Sequence, residues 1–130
     1  MMVRTSVVRS LAWGAGALLA LTFAGQLRAG EADVVEARLS PAGDGAYRLD
    51  ATVRHDDAGW DHYADAFEVL TADGEVLAIR TLLHPHVDEQ PFTRSLTGLE
   101  IPDGIREIVV RAHDSVHGHG GAEVRVQMPR

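Results

Sequence analysis

The chain has 130 residues, nineteen acidic and twelve basic side chains, a formal net charge of −7 and no cysteine. Such a length supports one domain with a modest core. The acidic balance argues against nucleic acid or anionic lipid as partners and is compatible with attracting cations. The lack of cysteine excludes disulfides, thiolate metal sites, iron–sulfur clusters and cysteine nucleophiles.

Arg4 and Arg9 precede an apolar stretch from Leu11 to Gly25, and Arg28 and Ala29 then lead to the acidic Glu31. A basic start, a short apolar core and a small residue at a cleavage site form the pattern of a secretory signal peptide. We assign it to residues 1–29, with Ala24 and Ala29 as alternative last residues. The apolar run is shorter than the ~20 residues that span a bilayer comfortably. The expectation is therefore a periplasmic or secreted domain over residues 30–130, free of the membrane once the leader is cleaved. All twelve basic residues are arginine, and Arg4, Arg9 and Arg28 leave with the leader, so the mature charge falls to −10.

Alternation of period two dominates the rest of the chain. Tyr47, Leu49, Ala51 and Val53 alternate with Arg48, Asp50, Thr52 and Arg54; Ile108, Val110 and Ala112 oppose Glu107 and Arg111; Val124, Val126 and Met128 oppose Glu123, Arg125 and Gln127. Each reads as a half-buried strand. With the further candidates, strands are predicted over 33–40, 46–55, 65–72, 75–82, 91–99, 105–113 and 122–129. No segment holds a helical period long enough to compete. Seven short strands broken by Gly, Pro and Asp predict an all-β, immunoglobulin-like antiparallel β-sandwich.

The connections are of two kinds. Pro41–Gly45, Asp73-Gly74 and Pro102-Asp103-Gly104 are compact turns, Asp-Gly being a strong hairpin signal. The connections 55–64, 83–90 and 113–121 are longer and carry all seven histidines. If strand direction alternates along the chain, these three loops share one end of the sandwich, the end that carries binding loops in immunoglobulin-like domains.

Imidazole is the commonest protein ligand for Zn and Cu(II), and it suits Fe. His84-Pro85-His86 and His117-Gly118-His119 each place two imidazoles on one face of an extended segment. The candidate metal ligands are His55, His62, His84, His86, His117 and His119, then His113 and Asp114. His55 continues the inward parity of the strand before it, whereas His113 lies on the outward parity of its strand and ranks last among the histidines. Asp56, Asp57, Asp61, Asp88, Glu89 and Asp114 lie on the same loops, where some can orient imidazoles from behind and one can serve as a ligand. With neither thiolate nor loop methionine, the ion expected is Cu(II) or Zn, with Fe as a further candidate. A polar rim that titrates near neutrality is the alternative without a metal. Trp60 and Tyr63 are expected to plug the top of the sandwich. Ser115 beside His113 and Asp114 does not make a hydrolytic triad, because triads are defined by geometry and not by adjacency.

The segment Asp61-His62-Tyr63-Ala64 through Val69, followed by Ala72-Asp73-Gly74-Glu75, resembles desulfoferrodoxin-type superoxide reductases, which carry a Glu-His-Tyr-Ile ligand segment before a similar strand and turn. His113-Asp114-Ser115-Val116-His117-Gly118 is similar to that family's Cys-Asn-x-His-Gly segment. The resemblance implies an immunoglobulin-like sandwich with a metal at its loop end, His62 and His117 matching two ligands and His55 loosely a third. Asp114 stands where the family has its ligand cysteine, and the His84/His86 pair is additional.

Three functions follow as expectations: a metal carrier, scavenger or sensor; a metalloenzyme of superoxide-reductase or other redox type at the same site; or a module that binds a periplasmic protein partner without metal.

Overall fold

The structure, a computed structural model, describes residues 22–24 and 30–129. Among the described residues are eight strands: β1 (Thr22–Ala24), β2 (Asp33–Gly43), β3 (Ala46–Arg54), β4 (Ala64–Thr71), β5 (Val76–Thr81), β6 (Phe92–Glu100), β7 (Glu107–Asp114) and β8 (Glu123–Gln127). The seven from β2 to β8 are the seven expected from the alternation. No helix occurs among the described residues. Of the assigned leader, only β1 lies among the described residues, and it pairs antiparallel with β8.

The strands form two antiparallel sheets, ordered β1-β8-β7-β4-β5 and β2-β3-β6. Between them lies a core of Val34, Leu49, Val53, Phe67, Val69, Phe92, Ile108, Val110 and Val124, each no more than 1% exposed. These are the inward members of the alternation, and their burial is the main force holding the sheets together.

Bulges adjust that alternation at several points. The β2–β3 register shifts between Val34 and Glu36, so the inward set changes from Val34 to Ala37 and Leu39. The β3–β6 register shifts between Tyr47 and Leu49, which lets both Phe92 and Leu99 face the core. Gly98, at φ +65°, sits in this bulge, where the left-handed conformation suits glycine. Another shift, between Ala64 and Ala66 on β4, leaves Asp65 opposite the end of β7.

Strand direction alternates along the chain, and the connections 55–63, 82–91 and 115–122 meet at one end. His55 N donates to Gln90 Oε1 at 3.0 Å, and His86 N donates to Asp57 Oδ2 at 2.7 Å. Ser115 N donates to Tyr63 O at 2.9 Å, while Tyr63 N donates to Ser115 Oγ at 3.1 Å. The segment just before β2 arrives at the same end, because Ala122 N donates to Asp33 Oδ1 at 2.7 Å and Val34 N to Ala122 O at 2.9 Å.

Candidate metal centre

His55 follows the last residue of β3 and keeps its inward parity, so its ring is carried into the sandwich end, 2% exposed. There Nδ1 donates to Asp57 Oδ1 at 2.6 Å, with both side chains fully shielded from solvent. That bond fixes the tautomer: the proton resides on Nδ1, and Nε2 presents its lone pair. Asp57 is held in turn, accepting from Ala64 N at 3.0 Å and from His86 N at 2.7 Å. One carboxylate therefore joins the 55–63 loop, the start of β4 and the 82–91 loop.

Asp114 ends β7 on the inward face and is 0% exposed. Its Oδ1 accepts from the backbone N–H groups of Val116, at 2.8 Å, and His117. Its Oδ2 is buried without any hydrogen-bond partner. Burial alone would raise this carboxyl, but those two backbone donors, with the charge of His117, outweigh it and hold the group below the usual carboxylate value.

The unpartnered Oδ2 faces imidazole nitrogens. It lies 3.4 Å from His55 Nε2, 3.5 Å from His62 Nε2 and 3.8 Å from His117 Nδ1. The two Nε2 atoms are 3.2 Å apart, and the Gly30 carbonyl oxygen is 3.2 Å from each of them. Among the described residues, His55, His62 and Asp114 form the group whose ligand atoms all lie within 4.8 Å of one another. His117 borders it, its ring centroid 4.9 Å from that of His62.

The remaining histidines sit in two other places. His84 and His86 face each other with centroids 4.5 Å apart, and His86 stacks on Phe92 at 3.9 Å and 12°. His86 is 5% exposed and neither of its ring nitrogens has a partner. Burial, followed by the charges of Arg94 and His84, lowers its pKa from the ordinary histidine value, against the opposing charges of Glu89 and Asp57. This pair is connected to the first group through the Asp57–His86 backbone bond. His113 and His119 lie on the outer face of the five-stranded sheet, centroids 4.9 Å apart. There His113 Nδ1 meets Asp65 Oδ1 at 2.5 Å, and His119 Nε2 is 3.2 Å from Glu68, which also accepts from Arg111 at 2.7 Å.

Two features were beyond the reach of the sequence reading. Gly30 contributes through its backbone, for which no residue-type signal exists. Trp60, expected to plug the sandwich, is instead 68% exposed, its ring edge-on to that of Tyr63 with centroids 5.6 Å apart.

No protein-family model matches the chain, and no solved structure matches it. A protein of Halomicrobium mukohataei named "Putative lipoprotein" is 48% identical over 91 residues, which are 70% of this chain and 44% of that protein. The chain spans less than half the length of this relative, whose name places it among lipoproteins.

Proposed function

We propose that the chain is an exported metal-binding protein in which His55, His62 and Asp114, bordered by His117, hold a divalent transition-metal ion for carriage, scavenging or sensing. The observation that carries this reading is the buried, unpartnered Asp114 Oδ2 facing two imidazole nitrogens. His55 Nε2, Asp114 Oδ2 and Gly30 O all present lone pairs to the same space. A single proton on His62 Nε2 satisfies only one of them at a time. Buried polar atoms left unpaired cost about 1–3 kcal/mol each, and a cation between them removes that cost for all at once. The separations of 3.2, 3.4 and 3.5 Å also fit. Ligands about 2.0–2.1 Å from a tetrahedral ion lie ~3.3–3.4 Å from one another.

Imidazole and carboxylate together suit Cu(II) or Zn, with Cu(II) the tighter, and Fe(II) next. The acidic mature surface draws cations toward the site. The leader pattern and the lipoprotein name of the relative support export to the periplasm or cell exterior. The pairing of β2-β3-β6 against β8-β7-β4-β5 supports the immunoglobulin-like form of the sandwich.

Redox catalysis at the same centre is the second reading. It is favoured by the nearness of His62, Asp114 and His117, the three positions that match the superoxide-reductase segments. A carboxylate in place of the thiolate lacks the strong electron donation that chemistry uses, so metal binding stands first. The exposed apolar tips Trp60, Leu83, Val87 and Val116, on the same three loops, favour a protein partner that approaches this end.

Calorimetric titration of the metal-free protein with Cu(II) and Zn(II) tests the main reading. Binding tighter than about micromolar, lost in His62→Ala and Asp114→Asn, is expected. Weaker binding of both ions removes the metal reading and leaves the partner-binding one.

A further inference from the structure

We propose that removal of the leader completes this centre: cleavage after Ala29 makes Gly30 the first residue, and its new α-amino group becomes a metal ligand beside its carbonyl oxygen. The inference rests on the metal-binding reading above and adds a ligand that exists only in the processed protein.

Gly30 O already lies 3.2 Å from both His55 Nε2 and His62 Nε2. The amino nitrogen and carbonyl oxygen of one residue are separated by only three bonds, so together they close a five-membered ring on an ion. Within a chain, that nitrogen is an amide whose lone pair is delocalised into the carbonyl. Freed by cleavage, it is an amine and a donor. The precursor thus offers the carbonyl alone, and the mature protein offers a chelate.

Gly30 is also held where it needs to be, by contacts that do not involve anything before it. Ala122 N donates to Asp33 Oδ1 at 2.7 Å, and Val34 N to Ala122 O at 2.9 Å. A Cβ at Gly121 would lie 2.0 Å from Ala32 O, so the two backbones touch. At Gly30 itself a Cβ would lie 3.3 Å from His117 Cε1, so this residue packs closely against the imidazole that borders the centre. The next residue supplies an independent sign. Glu31 Oε2 is buried without a hydrogen-bond partner, and a cationic centre forming next to it in the chain offers that carboxylate a counter-charge.

The chain has no lysine, so the α-amine is the one primary amine of the exported protein and can be acetylated selectively. The full-length chain is expressed in an exporting host, and the intact mass of the exported product fixes its first residue. Zn(II) affinity is then measured by calorimetry for this product, for its acetylated form, and for a form with one extra glycine ahead of Gly30, which keeps an amine but displaces it. The expected results are a first residue of Gly30, a loss of at least about tenfold in affinity for both altered forms, and protection of the amine from acetylation by bound Zn(II). Another first residue overturns the proposal. Equal Zn(II) affinity in all three forms also overturns it while leaving the metal centre standing. If no form binds Zn(II) or Cu(II) more tightly than about micromolar, the metal reading itself fails and takes this inference with it.

Discussion

Asp57→Ala is the perturbation that most directly probes how this end of the sandwich is built. The carboxylate accepts from His55 Nδ1 at 2.6 Å, His86 N at 2.7 Å and Ala64 N at 3.0 Å, and its side chain is shielded from solvent. Alanine leaves all three donors without a partner, each worth about 1–3 kcal/mol when buried. Loss of one member of a buried pair costs about 3–5 kcal/mol as a whole, because water entering the vacated space recovers part of the sum. The expected destabilisation is therefore about 3–5 kcal/mol, which for a domain of roughly 100 residues lowers the thermal midpoint by at least about 12 °C. Asp57→Asn keeps an acceptor oxygen but turns an amide donor toward one of the three N–H groups, so it should lose about 1–3 kcal/mol. Unfolding is followed by far-ultraviolet circular dichroism against temperature and urea, with chelator present so that metal binding does not contribute. A loss below about 1 kcal/mol for the alanine variant would falsify the junction as a structural element.

Two further outcomes separate the histidines. His62→Ala, at a ring that is 26% exposed on its side chain, should weaken Zn(II) by at least about 100-fold, yet move metal-free stability by less than about 1 kcal/mol. The double variant His113→Ala, His119→Ala should hold Zn(II) within about threefold of the parent, since those rings occupy the outer face of the sheet. The pH dependence of metal-free stability has a defined sign. His86 is lowered in the fold from its ordinary 6.5, so the unfolded chain binds its proton more readily, and stability is lost as pH falls from that value through the folded one. Urea midpoints should drop between pH 7.5 and 5.5, and His86→Leu should flatten the slope. Asp114, lowered from its ordinary 3.8, adds a further loss on acidification below that value, which Asp114→Asn removes.

The strands were legible because a half-buried sheet writes a period of two into the sequence. Leu49, Ala51 and Val53 in β3, or Ile108, Val110 and Ala112 in β7, needed no tertiary information. Continuing that parity one step past β3 also led to His55 as an inward residue, 2% exposed. The meeting of the three histidine loops followed from counting strands. What was hidden is the way the seven imidazoles divide. His119 belongs with Glu68 and not with His117, although the two are neighbours through Gly118. Loop side chains are aimed by hydrogen bonds such as the one from His113 to Asp65, which depends on a bulge in β4 that leaves no mark of its own in the composition. Asp57 was one of several loop carboxylates, and nothing in residue type marked it as the one that joins two loops.

His55 leaves the three-stranded sheet, whereas Asp114 closes β7 in the five-stranded one. An ion gripping both would therefore act as a cross-link between the two halves of the sandwich, in a protein that has no sulfur bridge to do so. A covalent tie closing a loop of this span, about 60 residues, is worth about 4 kcal/mol through the entropy it removes from the unfolded chain. A coordinate bond confers a comparable constraint that a chelator can release. The loaded domain should thus outlast the stripped one in the presence of protease, because parting the sheets would require the ion to leave first.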